Sequence, residues 1–229
     1  MSAGYLGLEE GNRALELGAY HQAFEIFMAM VESGEDPAFY KLCEMAINDQ
    51  LDDNERELFV QRLLQDVAQG NGIAAFNAGI LYSRGTGIPR DIDKAVDMFN
   101  LAISHKVPEG PLALARLYIG HLGKLPLASP DNVVSLLDQG ARLGSVDAAF
   151  TLGKLFTQGD VLSRDPYKAF LYLFLAAAQG HEDSKRALMV LQTLHPKEPF
   201  EREQKAAKEM IYRIKNPQDS EDHHDYFHR

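Results

Sequence analysis

The sequence predicts an all-α protein: a right-handed α-solenoid of about six stacked antiparallel helical hairpins. Three observations carry this expectation. Apolar residues recur at helical spacing along the whole chain, and no run alternates with period two. Gly, Pro and Asp punctuate the chain so that only short turns separate the helical stretches. Finally, blocks of sequence return. Ala74-Ala75-Phe76-Asn77-Ala78-Gly79-Ile80-Leu81-Tyr82 comes back as Ala148-Ala149-Phe150-Thr151-Leu152-Gly153-Lys154-Leu155-Phe156, with Ala113-Leu114-Ala115-Arg116-Leu117-Tyr118 as a looser copy between them. Tyr82, Tyr118 and Phe156 are spaced by 36 and 38 residues. A period of this size marks stacked helical pairs, because one pair cannot cover its own apolar face and buries it against the next.

In chain order, helices are expected near 3–16, 20–33, 37–48, 53–69, 73–83 and 91–105, then near 109–121, 131–143, 146–158, 166–179, 182–194 and 199–215. Asp36-Pro37 and Ser129-Pro130-Asp131 read as helix starts, with proline in the first turn. Gly18, Gly70, Gly144 and Gly180 stand where helices must stop. The clearest repeats fall at 72–107, 108–144 and 145–181, in a single array over 1–215 whose last helix, 199–215, caps the stack. Residues 216–229 read as a disordered acidic, His-containing tail that folding does not need. Asn216-Pro217 breaks the preceding helix, and almost nothing apolar follows.

Composition narrows the function. The 229 residues include 23 Lys+Arg against 33 Asp+Glu, a formal charge of −10, which argues against sequence-independent nucleic-acid binding through phosphate contacts. The charge is uneven: residues 1–69 hold 14 acidic and 4 basic side chains. One cysteine, Cys43, allows neither an internal disulfide nor a cysteine-ligated zinc site, and its apolar neighbours mark it as a buried, inert thiol. The longest apolar run, 169–178, is about half of the roughly 20 residues that span a bilayer, so no membrane insertion is expected. Glu9 and Glu10 fall where a signal peptide needs basic and apolar residues, and the expected compartment is the cytoplasm.

Residues 74–102 and 148–180 resemble the Sel-1-like repeat, a relative of the tetratricopeptide repeat. Both show its order of Ala-Ala, Ala-Gly or Leu-Gly, aromatic, Gly-containing turn, Asp and Lys-Ala. Gly11-Asn12, Gly18, Tyr20, Ala23 and Phe27 are similar to a tetratricopeptide unit. The resemblance implies a non-enzymatic module, without cofactor, that binds a protein or peptide partner in a concave groove lined by the first helix of each pair. Carried onto this chain, the groove-facing candidates are Tyr5, Leu8, Asn12, Phe76, Ile80, Arg116, Phe150, Lys154 and Arg186. Asn12 matches the asparagine that related domains turn towards peptide backbone or carboxylate. The full carboxylate-clamp set is absent.

The resemblance leaves several roles open: a scaffold, or a bacterial chaperone or immunity-type protein that neutralises one effector. It also leaves an enzyme related to cell-wall or β-lactam binding, although the paired cysteines and export signal of those relatives are missing. Self-association of the acidic 1–69 stretch with the basic 199–215 helix is a further expectation. No catalytic motif is present, and Gly85-Thr86-Gly87 lacks the strand and lysine of a phosphate loop. The tail residues Asp219, Glu221, Asp222, His223, His224, Asp225 and His228 match no closed metal site, so no metal is expected.

Overall fold

The structure, a computed structural model, describes residues 3–220. It is all-α, of the helical-repeat solenoid class, with twelve α-helices and no strand among the described residues. Each helix begins and ends within two residues of its expected bounds. The sequence reading placed no break in the array; the structure divides the chain into two compact units, residues 1–110 and 111–229.

The first unit holds α1 (Ala3–Glu16), α2 (Tyr20–Glu32), α3 (Pro37–Ile47), α4 (Asp53–Ala68), α5 (Gly72–Arg84) and α6 (Ile92–Ser104). Successive helices pair as hairpins, and α5 also packs on α3 and α4. Phe27, Phe39, Leu42, Met45, Phe59, Leu63 and Leu81 are fully buried between them, each contributing about 1.5–3 kcal/mol on leaving water.

The start of α4 shows how local chemistry fixes an element. Asp52 Oδ1 accepts the Glu55 amide at 2.8 Å, while Glu55 Oε2 accepts the Asp52 amide at 3.0 Å, a reciprocal capping box. The buried Glu55 then uses Oε1 to bond His21 Nδ1 on α2 at 2.7 Å. That bond, and next the charge of Glu25, hold the imidazolium above its ordinary 6.5. A raised value means that protonated His21 favours the folded state below about pH 6.5 and that this benefit fades as pH rises through the raised value. His21→Gln should therefore lower the melting temperature more near pH 5.5 than near pH 8.5. An equal difference at both values would contradict the assignment.

Cys43 is buried on α3, its Sγ 3.9 Å from the Asn77 carbonyl oxygen of α5. Burial pushes the thiol up to about 12. A maleimide at neutral pH should react with it more than about a hundredfold slower in the native protein than in denaturant. Comparable rates would show that α3 opens readily.

The second unit holds α7, whose helix runs Gly110–Gly120 across the division, then α8 (Pro130–Arg142), α9 (Val146–Gln158), α10 (Pro166–Ala177), α11 (Glu182–Leu194) and α12 (Glu201–Lys215). A 3₁₀ turn at Pro217–Ser220 follows. Leu114, Leu137, Leu152, Leu173 and Leu175 are its largest fully buried side chains. Tyr172 donates its hydroxyl to Asp138 Oδ1 at 2.7 Å, which ties α10 to α8, and Arg142 holds the other carboxylate oxygen at 2.7 Å. The helix expected at 199–215 is α12, packed on α10. It is preceded by Phe200, whose ring stacks on Phe170 with centroids 4.5 Å apart. Residues 221–229, which carry most of the tail His and Asp cluster, lie outside the described residues, and the 216–229 tail is described only to residue 220.

The two clear repeats build closely similar turns, one in each unit, although the two arginines bond carbonyls one position apart in repeat register. Gly85 and Gly159 end α5 and α9 at φ +79° and +81°, a left-handed conformation that costs glycine nothing. Arg90 Nε donates to the Ser83 carbonyl at 3.0 Å, and Arg164 Nε to the Gln158 carbonyl at 3.0 Å. The Asp91 and Asp165 amides donate to the carbonyls of Tyr82 and Phe156. Their carboxylates then cap α6 and α10 through the Lys94 and Lys168 amides. Each lysine lays its ammonium 5.3 Å from the ring centroid of the aromatic residue, Tyr82 in one repeat and Phe156 in the other.

Candidate partner-binding sites

The first helices of the pairs are α1, α3 and α5 in the first unit and α7, α9 and α11 in the second. The structure sorts the expected groove residues into three groups. Phe76 is a correction: it is only 8% exposed, its ring lodged between Tyr40 of α3 at 5.8 Å and Phe99 of α6 at 6.1 Å. It fills core, because α3 and α6 close over α5 from both sides. Leu8 and Ile80 are half-buried and packed against the core of the first unit, and Asn12 is half-buried on α1. Tyr5 falls within α1, its side chain outside the described residues. Phe150 is half-buried with its ring 4.4 Å from the ring of His181, which caps α11 through the Ser184 amide.

The three cations form the last group. Arg116 on α7, Lys154 on α9 and Arg186 on α11 are exposed. Arg186 is engaged by Asp183 on its own helix, whereas neither Arg116 nor Lys154 has an ion-pair partner within 4 Å among the described residues. Arg116 and Lys154 stand two residues before Tyr118 and Phe156, the same repeat position on consecutive first helices. An exposed, unpaired guanidinium and ammonium in equivalent places are free to meet carboxylates.

One concave feature was not foreseen. In the first unit a cleft of about 620 Å³ opens where the start of α3, the α4–α5 turn and the turn after α6 meet. Asp36, just before Pro37, was read as a helix start. Its side chain caps no amide of α3 and instead accepts Asn71 Nδ2 at 2.7 Å, while Asn71 Oδ1 caps α5 through the amides of Ile73 and Ala74. Tyr40 stands beside it, its hydroxyl donating to Glu109 Oε2 at 3.5 Å. Burial, then the charges of Glu109 and Asp36, push that phenol up to about 12, so it stays a neutral donor. Lys106 in the same wall is held at φ +58°, where the next two repeats carry Gly144 and Gly180. A side chain there costs about 1–2 kcal/mol.

No group of three or more His, Cys, Asp or Glu side chains able to hold a metal occurs among the described residues, nor any helix long and apolar enough to cross a membrane. The Sel1 repeat pattern matches residues 72–106 and 146–181, one stretch in each unit. The chain is 34% identical over 117 residues to the DAP3-binding cell death enhancer 1 of Mus musculus, covering 51% of this chain and 22% of that protein. It is 32% identical over 113 residues to the alginate biosynthesis protein AlgK of Azotobacter vinelandii, covering 48% and 23% respectively. The matched region thus spans under a quarter of the length of these curated relatives.

Among solved structures, a Sel1 repeat protein from Oxalobacter formigenes superposes with a TM-score of 0.55 at 22% identity, over 78% of this chain and 73% of that one. The protective antigen c5321 of uropathogenic Escherichia coli, described as displaying an SLR fold, gives 0.57 at 16% identity, over 85% and 41%. The chain thus carries two stretches that match the Sel1 repeat, one in each unit, and shares its all-α solenoid fold with these Sel1 and SLR neighbours.

Proposed function

We propose that this protein is a non-enzymatic interaction module that captures a protein or peptide partner on the first-helix face of its repeats. Sel1 repeats generally mediate contacts between proteins, and one relative carries the binding of a partner, DAP3, in its name. The observation that carries the reading is the pair Arg116 and Lys154: exposed, without an ion-pair partner among the described residues, and in the same position of consecutive repeats. They orient an acidic group of the partner, while apolar surface beside them anchors it.

The test is a comparison of two baits in extract of the native host at moderate salt: the wild-type chain and the variant Arg116→Glu/Lys154→Glu. A partner retained by the first and lost from the second supports the reading. A partner held equally by both would refute it.

A further inference from the structure

The cleft belongs to the first unit and the unpaired cations to the second, and their chemistry is opposite. Its walls bring two carboxylates, Asp36 and Glu109, into one cleft with Tyr40. Neither carboxylate has a cationic partner within 4 Å among the described residues, although Lys106 and His105 belong to the same walls. The unit as a whole holds 18 acidic and 8 basic residues, so it carries the entire formal charge of −10, and the second unit, with 15 of each, is balanced. An approaching cation is drawn to this half of the chain, and the cleft is where an aromatic face and two unneutralised carboxylates converge.

We propose that the cleft binds an arginine or lysine side chain of a basic peptide segment. The guanidinium or ammonium lies against the Tyr40 ring and is shared between Glu109 and the free oxygen of Asp36. Tyr40 is backed by Phe76, which fixes the ring and explains why an aromatic residue expected at the surface is buried. Gly72 lets the walls close: a Cβ there would come within 2.5 Å of His105 Cβ, so the turn after α6 lies directly on the start of α5. The cation must displace only the long Tyr40–Glu109 contact, and it leaves the short Asp36–Asn71 bond intact. Lys106 opposes the ligand, which makes recognition selective for a cation seated between the carboxylates over one that merely approaches the rim.

The probes are three acetylated, amidated peptides, Gly-Ser-Arg-Ser-Gly and its Gln and Glu counterparts, titrated into the ¹⁵N-labelled full chain. The arginine peptide should give saturable shifts at the amides of Gly70, Asn71, Gly72 and Gly110, with the other two silent. Glu109→Gln, at an exposed position, should weaken the arginine peptide about tenfold, and Lys106→Gln should strengthen it. Arg116→Glu/Lys154→Glu should bind it as the wild type does, which keeps this site distinct from the one proposed above. No saturable shift with the arginine peptide at millimolar concentration, an equal response to the glutamine peptide, shifts elsewhere, or undiminished binding by Glu109→Gln would each overturn the proposal.

Discussion

Valine in place of Gly153 should destabilise the second unit by about 3 kcal/mol or more, and valine in place of Gly79 should do comparable damage to the first. Both glycines occupy the same repeat position, where the first helix of a pair touches the second. A Cβ at Gly153 would lie 2.8 Å from Leu173 Cγ and 3.0 Å from the Leu173 backbone nitrogen; one at Gly79 would lie 2.6 Å from the Phe99 ring. Leu173 is fully buried and Phe99 nearly so, so neither can swing aside into solvent. The helices must separate, and with them go the dispersion contacts along the whole hairpin. Urea denaturation with a probe in each unit measures the loss. A shift below about 0.5 kcal/mol for both variants would mean that the hairpins are not packed at van der Waals contact.

The second large effect concerns binding. Reversing both Arg116 and Lys154 should lower partner affinity about tenfold or more while leaving the melting curve almost unmoved. Stability is spared because both side chains are exposed and neither closes an ion pair among the described residues. The core residues two places further on, Tyr118 and Phe156, stay buried and unchanged. Affinity suffers because each reversal replaces an attraction with a repulsion at the point where the partner's carboxylate is desolvated. A neutral double variant, Arg116→Gln/Lys154→Gln, should fall between the two.

These expectations rest on features of differing legibility. Helix bounds could be read because their signals are local: Asp36 before Pro37, Ser129 before Pro130, and glycine at the left-handed stops Gly18, Gly70, Gly144 and Gly180. The exposure of Arg116 and Lys154 followed from repeat register, since a position two residues before a buried aromatic on a helix points well away from it. Phe76 misled for the same reason that Tyr40 was missed. Register told which turn of α5 carries Phe76, but not that Tyr40, one hairpin earlier, lies across its ring. The cleft is likewise a tertiary product. Asp36 and Asn71 are 35 residues apart, and Tyr40 and Glu109 are 69 apart. No local pattern announces that three separate turns will meet. Lys106 left one trace, since it stands where the following repeats have glycine, and the outlying residue marks the wall of the cleft.

The central claim, that the first-helix cations of the second unit hold the partner, is tested most directly by one calorimetric series at fixed salt. The purified partner is titrated into wild type, into Arg116→Glu/Lys154→Glu, and into a variant with Glu9, Glu10 and Glu16 neutralised to glutamine. The predicted result is an affinity about tenfold or more weaker for the charge-reversed pair, with near wild-type binding for the neutralised N-terminal stretch. Unchanged affinity for the charge-reversed pair, together with release by the N-terminal variant and a steep loss with added salt, would contradict it and place the partner on the acidic face instead.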